Sequence, residues 1–230
     1  MSRAVDLLTI WEAASGLSPL ARARALARWG KPDRAGPAPV GVAYADIFAL
    51  RRALFGSQLV ALATCPRCGT RLETAMAVED FLAAPRDEAQ AVHCLDDGPE
   101  SIRFRLPTLD DLAKIHADSS PDEAAEALFE ACVVNADRRA ATATRDRALA
   151  RMAELDPLAD ASIALRCEDC GAEFDCAFDI GQFLWREIEA ASARLFGEVH
   201  VLARRYGWSE AEILAMTEQR RQVYLDLIDA

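Results

Sequence analysis

No run of eighteen or more apolar residues occurs in this sequence, which excludes a hydrophobic membrane-spanning helix. The first ten residues carry one arginine and no apolar stretch ending at a small-residue cleavage site, so no secretory leader is expected there. Phosphate-binding loops, dinucleotide fingerprints, nucleophile elbows and His-Glu-x-x-His helices are all missing. Lysine is nearly absent: Lys31 and Lys114 are the only two. Arginine and alanine are used freely instead, a bias that reads as genomic base composition. Positive charge is also scarce. The net charge of −11 argues against nonspecific binding to nucleic acid or to an anionic membrane. The imbalance is uneven, because residues 1–58 hold eight basic and four acidic side chains.

Cysteine is present in a pattern. Cys65-Pro66-Arg67-Cys68-Gly69 recurs as Cys167-Glu168-Asp169-Cys170-Gly171, at an offset of 102 residues. The offset continues past the knuckles: Leu72 answers Phe174, Glu73 answers Asp175, Val78 answers Ile180, and Phe81-Leu82 answers Phe183-Leu184. Each copy is an apolar run, a C-x-x-C-G turn, a second alternating run and the start of a helix. One C-x-x-C supplies two thiolates to a tetrahedral metal that needs four, and a second in the same register completes the shell. One structural Zn²⁺ per chain is therefore expected at Cys65, Cys68, Cys167 and Cys170. Four cysteine ligands leave no open position for water or substrate, so catalysis at the metal is not expected. A thiol oxidoreductase is the alternative. Its C-x-x-C should open a helix, whereas here glycine and a strand-like run follow. Seven cysteines with four in knuckles fit a reducing, cytoplasmic setting better than a disulfide scaffold.

Around the knuckles the periodicity is mainly helical. Helices are expected over Val5–Ala14, from Ser18-Pro19 to Trp29, and over Tyr44–Gln58, forming an N-terminal bundle (1–58). A short helix follows over Val78–Ala84, stopped by Pro85. Residues 86–100 read as a polar loop with a Gly98-Pro99 turn, and Ile102–Leu106 as a half-exposed strand whose arginines face solvent. Capping boxes at Thr108/Asp111, Ser120/Glu123 and Ser209/Glu212 open further helices. The Ser120 helix is expected to turn Ala124, Ala127, Leu128 and Ala131 to a core. After a linker over 136–145 comes a helix over Arg147–Leu155. From Asp179, Leu184, Ile188, Ala191, Leu195, Val199, Leu202 and Tyr206 make one stripe over about six turns. Thr217 opens the last helix.

The fold class expected is mainly α with small β: a helical domain around a split zinc ribbon, and a C-terminal helical unit. The divisions are 1–58, 59–180 and 181–230. A shared metal would tie them into one composite domain. Among other metal-ligating side chains, His93 with Cys94 is a candidate second pair and Cys176 a spare thiol. His116, His200 and Cys132 read as helix-end, flank and core residues. Trp185, Trp208 and Tyr224 are candidate interface aromatics, with Trp185 more naturally a core residue. The helix at 208–214 carries Glu210 and Glu212 where a DNA reader wants donors, and only Arg220-Arg221 forms a basic cluster.

Seven blocks then carry a resemblance. They are Cys65-Pro-Arg-Cys-Gly-Thr-Arg-Leu-Glu73, Ile102-Arg-Phe-Arg-Leu-Pro-Thr108, Asp156-Pro-Leu-Ala159 and Phe183-Leu-Trp-Arg-Glu187, followed by Glu198-Val-His-Val-Leu-Ala203, Tyr206-Gly-Trp-Ser-Glu-Ala-Glu-Ile-Leu214 and Arg220-Arg-Gln-Val-Tyr224. In that order the chain resembles small zinc-ribbon proteins encoded among contractile phage tails and phage-tail-like injection systems, relatives of T-even-type baseplate hub and tail-assembly proteins. The resemblance implies a non-enzymatic role in building a baseplate, with other tail proteins as partners. One departure is Glu168-Asp169, where the family commonly has proline after the first cysteine of the second knuckle. A zinc-ribbon nucleic-acid module or regulatory adaptor is the other alternative.

Overall fold

The computed structural model describes residues 3–83, 92–97, 100–116, 118–134 and 142–229. It is mostly helical with small sheets. Two compact units emerge, Ser18–Gly181 and a second made of Met1–Leu17 with Gln182–Ala230.

The larger unit begins with α2 (Pro19–Gly30) and α3 (Val40–Phe55), after α1 (Arg3–Ala14) of the other unit. Ser18 caps α2 by accepting from the Ala21 N–H at 3.4 Å, with Pro19 in the first turn. β1 (Gln58–Thr64) and β2 (Arg71–Ala77) form an antiparallel hairpin, with Leu59 opposite Met76 and Thr64 opposite Arg71. α4 (Val78–Leu82) follows directly. The second hairpin, β3 (Val92–Asp97) with β4 (Glu100–Arg105), packs on α6 (Pro121–Cys132) and α7 (Thr142–Leu155), after the single turn α5 (Leu109–Leu112). Ile102, Phe104, Phe129, Cys132 and Met152 centre that packing. A 3-10 turn (Pro157–Asp160) leads to the third hairpin, β5 (Ser162–Arg166) and β6 (Glu173–Ala177), with Arg166 opposite Glu173.

Two contacts fix the first and third hairpins relative to one another. Phe48 of α3, Phe81 of α4 and Phe178, just past β6, stack with ring centroids 4.7, 5.1 and 6.2 Å apart. Such ring pairs add about 0.5–1.5 kcal/mol each beyond the area they bury. The Gly41 N–H of α3 donates to buried Asp156 Oδ2 at 2.8 Å, just before the 3-10 turn. A Cβ on Gly41 would lie 1.8 Å from Asp156 Oδ1.

In the smaller unit, α8 (Ile180–Tyr206) follows the expected apolar stripe as far as Leu202, while Tyr206 at its end is exposed. Leu184, Ile188, Leu195 and Leu202 are buried. Gly207, at φ 72°, ends the helix. α9 (Glu210–Leu214) and α10 (Glu218–Asp229) follow, and Ser209 and Glu212 form the expected capping box. Arg194 reaches Glu218, and buried Arg221 bonds Glu198 at 2.7 Å and the Met216 carbonyl at 2.8 Å. These contacts tie α10 to α8.

Several expectations are corrected. α3 starts at Val40, four residues before the expected Tyr44, and stops at Phe55, so Gln58 opens a strand. Gly41 in its first turn leaves room for the approach of Asp156, which a Cβ there would block. α4 ends at Leu82; Ala84 and Pro85 lie outside the described residues. Within 86–100, Val92–Asp97 is a strand whose exposed face carries Val92, Cys94 and Asp96, and Gly98-Pro99 lies outside the described residues. α6 buries Phe129 and Cys132, while Ala127 is exposed. α7 begins at Thr142, within the expected linker. Arg105 does not merely meet solvent: it grips Asp111 at 2.6 and 2.8 Å and the Ala131 carbonyl at 2.9 Å.

Two outcomes follow. Gly41→Ala should lower stability by about 1–3 kcal/mol through overpacking, read as a fall in Tm. Burial would raise the carboxyl of Asp111, but hydrogen bonds from Arg105 and Thr108 outweigh it and hold the group well below its usual range. A depressed carboxyl stabilises above its unfolded pKa of about 4, and that stability is lost as acid protonates the folded group. Asp111→Asn should cost about 2–4 kcal/mol at neutral pH. In urea titrations the gap from wild type should close only on acidification well below pH 4.

Candidate metal centre

Each knuckle sits at the tip of a hairpin. The Gly69 N–H donates to the Cys65 carbonyl at 2.9 Å, and the Cys65 N–H to the Thr70 carbonyl at 2.9 Å. The second knuckle repeats both, from Gly171 to Cys167 at 2.9 Å and from Cys167 to Ala172 at 2.8 Å. Gly69 and Gly171 take φ of 76° and 69°, a conformation costly for a residue with a Cβ. These turns aim both thiols of a knuckle to one side.

The two tips meet. All four sulfurs of Cys65, Cys68, Cys167 and Cys170 lie within 4.8 Å of one another. Cys65 Sγ is 3.6 Å from Cys170 Sγ, and Cys68 Sγ is 3.6 Å from Cys167 Sγ. Exchanging the knuckles at the offset of 102 turns one contact into the other, so the site has a local pseudo-twofold axis. A tetrahedron with metal–sulfur arms of about 2.3 Å has edges of about 3.8 Å, which matches these separations. They are far longer than a disulfide bond of about 2.05 Å, and all four cysteines are free. The group could hold a metal ion, and soft thiolate donors in this arrangement suit Zn²⁺.

Burial follows the same symmetry. Cys65 and Cys167 are each 1% exposed, while Cys68 is open and Cys170 half-buried. Hydrogen bonding with Thr70, side chain first and main chain second, lowers the Cys68 thiol to about 6. Ala172 pulls the Cys170 thiol down through a main-chain bond. Burial and the surrounding sulfurs prevail and push it to about 12. Four sulfurs this close cannot all ionise without a cation between them.

One interaction breaks the symmetry. The Thr70 hydroxyl donates across the knuckles to Asp169 Oδ2 at 2.7 Å. The positions equivalent to Thr70 and Asp169 are Ala172 and Arg67, which cannot form the twin bond. Neither Thr70 nor Asp169 was singled out by the sequence, although the Glu168-Asp169 departure marked the place.

Other candidates stand apart. His93 is a half-buried residue of β3 with its ring 5.6 Å from Phe104, and Cys94 is exposed, its Sγ 3.0 Å from Ser101 Oγ. Neighbours on a strand face opposite ways, so the two do not share a site. Cys176 lies on β6, outside the four-sulfur group. Cys132 is buried, its thiol pushed up to about 12 by burial. His116 and His200 are exposed. Trp185 is 3% exposed, a core residue. Trp208 stacks on Tyr206 at 4.5 Å and meets Tyr224 edge-on at 4.8 Å. Of the basic pair, Arg221 is buried against Glu198 and Arg220 lies 5.9 Å over the Tyr224 ring. No helix among the described residues is long and apolar enough to cross a membrane.

Comparison with protein-family models, with curated proteins and with solved structures finds no match.

Cys68→Ser and Cys170→Ser should each abolish stoichiometric metal, measured by elemental analysis, while Cys94→Ser and Cys176→Ser retain it. Asp169→Ala should weaken metal binding by about tenfold, the lower end for a residue that orients a ligand shell, read by competition with a chelator.

Proposed function

We propose that this protein is a non-enzymatic structural or assembly component of a contractile phage-tail-like apparatus, held in shape by one structural Zn²⁺ at Cys65, Cys68, Cys167 and Cys170 as a split zinc ribbon. The observation that carries the structural half is the convergence of four sulfurs from two hairpin tips. A metal with four protein ligands has no position left for substrate, so its work is to hold the hairpins. The tail-like setting rests on the resemblance of the seven sequence blocks.

The repeat supplies its own control for the interaction role. On the outer face of the first hairpin Val60 is 52% and Leu62 63% exposed. The equivalent positions of the third hairpin are Ser162 and Ala164, both exposed. The same scaffold thus tolerates polar or small residues there, and only one copy displays branched apolar side chains to water. A tail or baseplate subunit covering that face would account for the difference.

The test is co-purification of the zinc-loaded chain with its tail proteins, identified by mass spectrometry. Val60→Ser with Leu62→Ala, which gives the first hairpin the residues of the third, should reduce recovery several-fold while zinc content and Tm hold. Steeply salt-dependent DNA binding, or metal-free thiols cycling through disulfides, would replace this reading with the nucleic-acid or oxidoreductase alternative.

A further inference from the structure

The larger unit holds a cleft of about 240 Å³ walled by α2, the following loop, α3 and the start of α5. Four cations border it: Arg24, Arg28, Lys31 and Arg34, against two carboxylates, Asp46 and Asp110. Arg24, Arg28 and Lys31 recur at helical spacing along one face of α2 and its cap. Compensation of the helix dipole explains a cation in the last turn of α2. It does not explain why Arg34, beyond the helix, turns back to the same cleft.

The walls are preorganised. Arg34 clamps Asp46 in a two-pronged pair at 2.7 and 2.9 Å. The Val40 N–H donates to the Pro107 carbonyl at 2.9 Å, and Pro39 bridges Thr108. Arg24 meets Asp110 Oδ1 at 2.7 Å, a contact of charges in which that oxygen accepts no aligned hydrogen bond. Arg28 and Lys31 are exposed and make no ion pair among the described residues. The result is a shaped surplus of positive charge on a chain whose net charge is −11.

We propose that this cleft binds the carboxylates of an acidic polypeptide segment of a partner, with Arg28 and Lys31 as the contacting cations and Arg24 free to turn from Asp110 to the ligand. The inference deepens the assembly reading and rests on it. The cleft is open on one side and has no buried cation to seize a lone small anion, whereas an extended chain can lay successive carboxylates across spaced cations. Such contacts set partner choice and encounter rate more than raw affinity.

The experiment is calorimetric titration of the zinc-loaded full-length protein with a hexaglutamate peptide at low salt, with inorganic phosphate in a parallel arm. Saturable one-to-one binding is expected for the peptide. Arg28→Glu with Lys31→Glu should weaken it by about tenfold or more, the scale of two partly exposed ion pairs. Arg204→Glu with Arg205→Glu, at the end of α8, should leave it unchanged. The milder Arg28→Gln with Lys31→Gln pair should fall between, with zinc content constant throughout. Absence of peptide binding, equal weakening by both reversed pairs, or phosphate binding as tight as the peptide would each overturn the proposal. Retained co-purification with tail proteins alongside any of these would leave the assembly reading standing and reject the cleft alone.

Discussion

Four sulfurs brought within 4.8 Å of one another are a constraint that the chain must either neutralise or avoid. As thiolates they repel, and as thiols they are weak partners for one another. A divalent cation at their centre removes the conflict. Its effect would be large, because the joined tips are about a hundred residues apart. In the chain-entropy picture, closing a loop of that length stabilises by roughly 4–5 kcal/mol, comparable with the whole net stability of many domains. Ligand geometry, glycine turns and hairpin register all converge on this point.

The surrounding structure can be understood as the support that brings two hairpin tips together. The Phe48, Phe81 and Phe178 stack joins the bases of both knuckle hairpins to α3. Gly41 and Asp156 lock the same helix to the turn that precedes β5. The intervening segment is more than a tether, because β3, β4, α6 and α7 enclose an apolar cluster of their own around Phe104 and Phe129. In the smaller unit a different device works: the buried Arg221–Glu198 pair and the Tyr206, Trp208 and Tyr224 rings hold α10 on α8.

What could be read from the sequence was what local chemistry determines. The knuckles announce themselves because ligand spacing and a following glycine are short-range requirements, and the capping boxes at Thr108, Ser120 and Ser209 do so for the same reason. The failures depend on distant partners. α3 reaches back beyond Tyr44 to Val40, where Gly41 is bonded to Asp156, 115 residues away. Arg105 resembled a solvated strand residue until Asp111 gave it a partner. β3 is a strand because β4 pairs with it, and its acidic sequence gave little sign of that. The face of α6 was misjudged because alanines set the periodicity while Phe129 and Cys132 supply the burial. Thr70 and Asp169 touch only because the knuckles meet, a contact that neither knuckle encodes alone.

The most direct test of the shared site is X-ray absorption spectroscopy at the zinc edge on the purified native protein, with metal quantified per chain. A split tetrathiolate centre predicts one zinc per chain with four sulfur neighbours at about 2.3 Å and no nitrogen or oxygen in the first shell. A shell of two sulfurs with lighter atoms, two metals per chain, or no metal with the thiols intact would contradict it, because each would mean that the two knuckles do not close on one ion.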